Sequence, residues 1–517
     1  MSTKDILKEK AEQKSMEMMV SRYVNYIHKD PESNIDDAID SMRQMEERTG
    51  DTKYLSNFAD WLETHGGSKQ WFINLFYRDK EIVKKFFLNF IINVNMKWLK
   101  QSREVRDELG GFAPPYTILI SPTMRCNLRC TGCYAGNYTA EDDLSMEEVD
   151  RIIKEGKSLG TYFYTILGGE PFIKWDELSR IIRKHDDCLF QLFTNGTLID
   201  EKVADEIRSL SNVYPVLSVN GWEEETDMTR GRGSFQKIVD VAGLLAERGV
   251  IFGNSFVFMR NNFDTLTSDA LYDFWIEKGA FYGWTFLYMP VGENPEFDLM
   301  PTPRQRKAMG DYVRNLRERK PYFLMDFWND APSTGGCIAG GRRYLHINHR
   351  GDVEPCIFAH FATDNIHGKS LREVLCSPFF TDIKLHQPHS DNLLTPCMII
   401  DNPHVLREIV RRHEPETTDG SSRKLVDEYS ERLDRYAEAV HNTLDPVWEE
   451  KYPYLIREME TGQAFHTGEL DRLVLQREPE TAARVARDHP FVESCGFMEN
   501  CGQHAFANEE AVPENRN

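Results

Sequence analysis

Tyr116-Thr-Ile-Leu-Ile-Ser121-Pro-Thr-Met-Arg-Cys126-Asn-Leu-Arg-Cys130-Thr-Gly-Cys133-Tyr134 is the stretch on which the reading of this chain turns. It opens as a β-branched, aromatic run of strand type, entered from Pro114-Pro115, and continues as a loop carrying three thiols within eight positions. Three thiols so close on one loop can converge on one metal centre, and thiolates favour soft centres, chiefly zinc and iron–sulfur clusters. Structural zinc sites usually take four protein ligands, and no fourth Cys or His follows nearby. A cubane [4Fe-4S] cluster, normally held by four thiolates, would here keep one iron open for a further ligand.

Working outward, strand-like runs recur at Tyr162–Leu167, Leu189–Phe193, Val213–Val219, Val250–Met259 and Tyr282–Met289, with helical patterns between them. Ser145-Met-Glu-Glu148 is a capping box opening a helix with Val149, Ile152 and Ile153 on one face. Ile238, Val241, Leu244 and Leu245 repeat at helical spacing. Six alternations of strand and helix predict a parallel sheet with right-handed crossovers, as a partial barrel or an open sheet. In either form the active site is expected at the carboxyl ends of the strands.

Before this series, residues 1–114 read as helix. The stretch Trp71–Trp98 is dense in aromatics and, with its flanks, basic: Arg78, Lys80, Lys84, Lys85, Lys97 and Lys100 stand against Asp79 and Glu81. It predicts either a helix packed on the next domain or one lying on a membrane surface or lining an apolar substrate channel. After the series, Arg304–Arg319 reads as a charged helix, and Leu425, Tyr429, Leu433, Tyr436 and Val440 mark an amphipathic one. The chain of 517 residues holds 62 Lys plus Arg against 83 Asp plus Glu, a net charge of −21. That acidity argues against a nucleic-acid-binding surface. The opening Met-Ser-Thr-Lys-Asp lacks a basic-then-apolar pattern, and no uncharged apolar run approaches a membrane span. A cytoplasmic protein is expected, its ten cysteines serving as thiols or ligands rather than disulfides.

Cys-x-x-x-Cys-x-x-Cys followed by an aromatic, placed after the first strand of a six-fold βα series, resembles the radical S-adenosylmethionine (radical SAM) superfamily. Further motifs follow in the same order: Gly168-Gly169-Glu170-Pro171 after the second strand, Thr194-Asn195-Gly196 after the third, Ser218-Val-Asn220-Gly221 after the fourth, then Arg230-Gly. The resemblance covers about residues 116–290. It implies a partial (β/α)6 TIM-like barrel in which Cys126, Cys130 and Cys133 hold a [4Fe-4S] cluster. S-adenosylmethionine would meet Tyr134, Gly168, Gly169, Glu170, Pro171, Thr194, Asn195, Ser218, Asn220 and Arg230. Two glycines let backbone approach a ligand closely, Glu170 can pair with an ammonium, and Arg230 can grip a carboxylate. Asn220 departs from the usual Asp, keeping hydrogen bonds to ribose hydroxyls but bringing no charge.

A second cysteine group begins at Cys337, within Gly-Gly-Cys-Ile-Ala-Gly-Gly. It continues through a hairpin pattern, Tyr344-Leu-His346-Ile-Asn-His-Arg-Gly351-Asp-Val-Glu-Pro-Cys356. This resembles the SPASM or "twitch" extension of radical SAM enzymes, with Cys397 as a third ligand of one auxiliary iron–sulfur cluster. The fourth ligand stays open among Cys495, Cys501 and none; Cys376 and Cys188 read as inert thiols. Two polar clusters, Asp326–Asp330 and His360–Asn365, read as substrate or proton-transfer groups or as turns and caps. The expected division is residues 1–114 helical, 115–330 core barrel, 331–412 a small α+β cluster extension, and 413–517 a helical tail. The resemblance implies reductive cleavage of S-adenosylmethionine to a 5′-deoxyadenosyl radical, with an external electron donor such as flavodoxin or ferredoxin, and names no acid–base catalytic residue. Two substrates stay open: a lipid or hydrophobic molecule, favoured by 71–98, and a peptide or protein, favoured by the SPASM likeness. The contrasting class is a non-catalytic iron–sulfur or zinc module.

Overall fold

The computed structural model describes residues 3–49, 54–135, 142–292 and 294–460, so Cys495 and Cys501 lie outside the described residues. Strands β1 (Thr117–Ile120), β2 (Phe163–Ile166), β3 (Leu189–Thr194), β4 (Val213–Val219), β5 (Gly253–Phe258) and β6 (Tyr282–Leu287) fall on the six expected runs. Each pairs in parallel with the next, giving the order β6-β5-β4-β3-β2-β1. A sheet wound in one direction with right-handed crossovers carries its helices on one face and curls around the other, which makes a partial barrel rather than a doubly wound sheet. The strands are buried along most of their length, which fits their near-continuous apolar reading.

The helix Met146–Leu159 starts on the expected box: Ser145 Oγ accepts from Glu148 N at 3.2 Å, and Glu148 Oε2 accepts from Ser145 N at 2.8 Å. The helix Pro303–Arg319 starts on a second box, Thr302 with Gln305, with Pro303 at its first turn.

The barrel is longer than the sequence pattern predicts. A seventh parallel strand, β7 (Phe323–Asp326), extends the sheet beyond β6. It has only four residues and ends in the acid of Asp326–Asp330, so no alternation marks it. Those acids serve the turn: Asp326 Oδ1 accepts from Asn329 N at 3.1 Å, and Arg317 holds Asp330 at 2.6 Å. The turn-and-cap reading is therefore the one the structure bears out. At the opposite edge, β8 (Tyr344–Ile347) pairs in parallel with β1, and β9 (Val353–Glu354) folds back antiparallel on β8. The hairpin turns where expected, with Gly351 at φ 79° and Asn348 Oδ1 accepting from Arg350 N and Asp352 N. The sheet thus runs on past residue 330 without a break.

The aromatic, basic stretch 71–98 seals the amino end of this barrel. Trp71 Nε1 donates to Phe281 O at 2.9 Å and its ring stacks on Phe281, just before β6. Arg78 donates to Gly279 O at 2.8 Å, and Gly249 O, ahead of β5, accepts from Asp79 N. Asn89 Nδ2 donates to the carbonyls of Asp186 and Cys188, and Asn93 Nδ2 to that of Asp187, just ahead of β3. Lys85 pairs with Asp186 at 2.9 Å, and Lys97 sits over the Tyr162 ring. Of the aromatics in this stretch only Tyr77 is exposed. The expectation of a membrane-facing or channel-lining helix is corrected: most of the aromatics pack against the barrel floor, and Arg78, Lys85 and Lys97 serve its loops. No helix among the described residues is long and apolar enough to cross a membrane.

Toward the C-terminus, the helix Ser430–Lys451 buries Leu433, Ala437, Val440, Leu444, Val447 and Trp448. Leu425 belongs to a separate short turn, Arg423–Val426.

Candidate active site and auxiliary metal centre

At the carboxyl end of β1 the chain stays paired beyond the strand. Ser121 N donates to Ile347 O on β8 at 2.9 Å, Thr123 O accepts from Gly169 N at 3.0 Å, and Arg125 O accepts from Glu170 N at 2.8 Å. A Cβ on Gly168 would stand 2.2 Å from Thr123 O, and one on Gly169 would stand 2.1 Å from Arg125 O. In the structure the two glycines therefore admit the backbone of the cysteine loop, which differs from a direct approach to a ligand. The same loop is tied to its other neighbours. Asn195 Nδ2 donates to Asn127 Oδ1 at 2.9 Å, Asn127 Nδ2 to Thr197 Oγ1 at 2.7 Å, and Thr131 N to Thr229 O at 2.9 Å. Gly132, at φ 70°, passes so close to the Tyr288 ring that a Cβ would stand 2.7 Å from it. Cys126, Cys130 and Cys133 are thus fixed over the ends of β2, β3, β4 and β6.

Glu170 lies at the centre of this end and is 1% exposed. Its Oε1 accepts from Thr194 Oγ1 at 2.7 Å and Phe172 N at 3.1 Å, and its Oε2 accepts from Asn195 N at 2.8 Å. Burial pushes its carboxyl up to about 7. Pro171 opens the short turn Pro171–Lys174 that carries Phe172 N to it. Across the mouth, Arg230 Nε donates to Asn220 Oδ1 at 2.7 Å, while Asn220 Nδ2 is buried and meets no acceptor among the described residues. Ser218 stands half-buried near the end of β4. Tyr134, just past the third thiol, packs edge-on against Phe358 of the extension at 5.6 Å. Burial raises the Cys126 thiol to about 11 and also raises Cys130, so both would shed a proton on binding a metal. A buried carboxyl, an orphaned amide donor and three thiols on one loop fit a cluster with a small ligand bearing ammonium and hydroxyl groups.

The members of the second cysteine group come from three segments. Tyr344 Oη and Cys356 Sγ are 3.1 Å apart. Burial raises the Tyr344 phenol, and so do the charges of Cys356, Cys337 and Cys397. Sulfur chemistry separates these thiols from the others. Cys397 Sγ accepts from Ile399 N at 3.4 Å and Cys126 Sγ from Leu128 N at 3.4 Å, each two residues on. The backbone N–H groups of Ala339 and Phe358 favour the thiolate forms of Cys337 and Cys356, against the burial that raises both thiols. Such N–H groups suit a thiolate ligand. Cys376 instead donates to Glu108 O, and buried Cys188 to Asp187 Oδ1, as neutral thiols do. Cys188 stands near His185 and Asp187, but Asp150 already engages His185 and Lys157 engages Asp187. Three buried thiols whose charges act on one another suit an iron–sulfur centre; the described residues add no fourth cysteine to it.

Between the two groups runs a buried polar chain. Ser121 Oγ is 2.7 Å from His346 Nε2, and His346 Nδ1 is 2.6 Å from Glu354 Oε2, which also meets His360 Nδ1 at 3.2 Å. Burial opposes the Glu354 charge, yet His360 and His346 hold its carboxyl well below the usual range. His360 thus braces the extension, while Asp364 in the same polar cluster holds Thr363 and Lys369.

Residues 120–267 match the radical SAM superfamily, and residues 337–398 match the iron-sulfur cluster-binding domain SPASM, a span bounded by Cys337 and Cys397. Mycofactocin maturase MftC of Mycobacterium ulcerans is 30% identical over 266 residues, which cover 48% of this chain and 70% of that protein. This chain belongs to the radical SAM superfamily. The MftC of Mycolicibacterium smegmatis is 28% identical over 313 residues, 56% of this chain and 76% of the relative. PqqA peptide cyclase of Granulibacter bethesdensis is 25% identical over 322 residues, 57% of this chain and 82% of the relative. Fe-coproporphyrin III synthase of Methanosarcina barkeri is 31% identical, over only 28% of this chain. A radical SAM enzyme carries a [4Fe-4S] cluster with S-adenosylmethionine, and its SPASM domain carries auxiliary iron–sulfur.

Sequence reasoning missed two residues beside the second group, Arg306 and Asp401. A signal existed for one of them. Arg306 occupies the buried stripe of its helix with Met309, Gly310, Val313 and Leu316, and an arginine at a core-facing helical position is unusual.

Proposed function

We infer that this radical SAM enzyme modifies a peptide or protein through C–H functionalisation. The observation that carries the reading is the SPASM match at residues 337–398 together with the likeness to mycofactocin maturase MftC and PqqA peptide cyclase. The lipid reading loses its structural support, because the aromatic stretch that suggested it is packed on the barrel floor.

Cys126, Cys130 and Cys133 are assigned to the catalytic cluster. Glu170, the Thr194–Asn195 turn, Ser218, Asn220 and Arg230 are assigned to S-adenosylmethionine, with Tyr134, Gly168, Gly169 and Pro171 shaping the same wall. Cys337, Cys356 and Cys397 are assigned to one auxiliary cluster. When bound, these groups supply a 5′-deoxyadenosyl radical and a nearby electron acceptor. The chain contributes placement and exclusion of water. Glu170 can turn a carboxylate oxygen to an ammonium, Asn220 Nδ2 has a free donor for a ribose hydroxyl, and Arg230 carries charge beside it. An external carrier such as flavodoxin or ferredoxin supplies the electron in the cytoplasm. The organisation proposed is residues 1–114 closing the barrel floor, 115–330 the core, 331–412 the cluster extension and 413–517 the helical tail.

The test is anaerobic. The reconstituted protein is reduced with S-adenosylmethionine in the presence of fractionated cell extract, and 5′-deoxyadenosine and mass-shifted products are followed. Stimulation by a protease-sensitive fraction, with a peptide changed in mass, is the expected outcome. Stimulation by a lipid fraction alone would overturn the peptide reading.

A further inference from the structure

The pair Arg306–Asp401 is buried to 0% exposure on both sides. Arg306 lies in the core helix Pro303–Arg319, and Asp401 lies four residues past Cys397. The guanidinium grips the carboxylate with both arms, Nη1 to Oδ1 at 2.5 Å and Nη2 to Oδ2 at 3.0 Å, and Nη2 also donates to Leu394 O at 2.7 Å. The carboxylate in turn holds the ligand loop: Asp401 Oδ2 accepts from Cys397 N at 3.0 Å. Cys397 O accepts from Asp401 N at 3.1 Å and from Asn402 N at 2.9 Å, and Asn402 Nδ2 reaches Thr395 O at 2.8 Å. The turn that presents Cys397 is thereby clamped to the barrel through one ion pair. Arg306 also keeps one buried donor, Nε, that finds no acceptor among the described residues.

A buried ion pair gains little stability over an apolar pair of the same shape, because desolvation offsets the attraction. Its presence here calls for another reason, and its neighbour supplies one. The carboxylate that the guanidinium grips accepts directly from Cys397 N, so the charged pair stands one hydrogen bond behind the residue assigned as a ligand. In a low-dielectric site, charges at this range act strongly on a redox centre.

We propose that Arg306 and Asp401 are positioning residues for the auxiliary cluster, holding Cys397 in place and setting the cluster's reduction potential through their opposed charges. This rests on the assignment of Cys337, Cys356 and Cys397 as ligands, and the experiment separates the two claims. Full-length protein carrying Cys126→Ala, Cys130→Ala and Cys133→Ala is reconstituted anaerobically, so that only auxiliary iron is seen. If that protein binds no iron–sulfur cluster, the ligand assignment fails. If it does, redox titrations followed by electron paramagnetic resonance compare it with added Asp401→Asn or Arg306→Gln. Asp401→Asn leaves an uncompensated cation and is expected to move the midpoint positive; Arg306→Gln removes the cation, so its midpoint is expected to be the lower of the two. Folded variants, judged by circular dichroism, that lose the cluster support the holding role. Where a variant does not fold, the conservative Arg306→Lys is titrated, with a changed spectrum expected because a single ammonium cannot grip both carboxylate oxygens. Unchanged midpoints and spectra, or equal shifts in the same direction, overturn the proposal.

Discussion

Cys126, Cys130 and Cys133 share one loop, whereas Cys337, Cys356 and Cys397 arrive on three separate segments, Cys356 against Tyr344. The first group is placed by its own backbone, which pairs with Gly169 and Glu170 and is tethered to Asn195 and Thr229. The second is placed by a hairpin added to β1 and by a turn clamped to a core helix. The contrast shows two ways to build a thiol site. A local one needs glycines so that neighbouring loops can close on it. An assembled one needs buried polar anchors that tie distant segments together.

The sharpest break in this comparison comes from removing one sulfur on each side. Cys130→Ala should abolish reductive release of 5′-deoxyadenosine while leaving the melting temperature close to wild type, because the loop is held by backbone bonds. Cys397→Ala should keep that release but lose auxiliary iron and the modified product, as read by iron analysis and mass spectrometry. If both variants lost both activities, the two sites would be one functional unit.

Next in size is the glycine contact. Gly169→Ala puts a methyl 2.1 Å from Arg125 O, so the cysteine loop must shift. A loss of several kcal/mol, on the order of 3, is expected together with loss of the catalytic cluster. Gly231→Ala, at a positive φ of 103° but in open space, should cost only about 1 kcal/mol. Urea titration with iron analysis checks both.

Glu170 adds a pH signature to the first site. Its carboxyl is raised from about 4.5 to about 7 in the folded protein, so folding takes up a proton in that window. The stabilisation is complete below about pH 4.5, fades as pH rises and is gone above about 7, amounting to about 3 kcal/mol at most. Glu170→Gln apoprotein should lack this slope in melting temperature against pH. A variant slope equal to wild type would mean that another group titrates.

The smallest effect on activity is expected far from both sites. Asn89→Ala removes two hydrogen bonds to the carbonyls of Asp186 and Cys188 and should cost about 1–3 kcal/mol, with 5′-deoxyadenosine release unchanged. A fall in that release in the folded variant would show that the barrel floor is coupled to the mouth.

Legible in the amino-acid sequence were the six core strands, the helix start at Ser145, the hairpin turn at Gly351 and the spacing of the three thiols proposed to hold the catalytic cluster. Each is written in neighbouring residues: alternation, a capping box, a left-handed glycine, a fixed cysteine spacing. Only the tertiary structure decided the rest. β7 is four residues long and carries no pattern. Whether the aromatics of 71–98 faced a membrane, a substrate or the protein depended on the carbonyls at the entrances of β3, β5 and β6, which the local pattern does not contain. The glycines of Gly168-Gly169 face a loop more than forty positions upstream, and Arg306 meets Asp401 across 95 positions. Local spacing fixes what one turn or strand can do. Contacts between distant segments depend on how every intervening element packs, and that is settled only when the barrel closes.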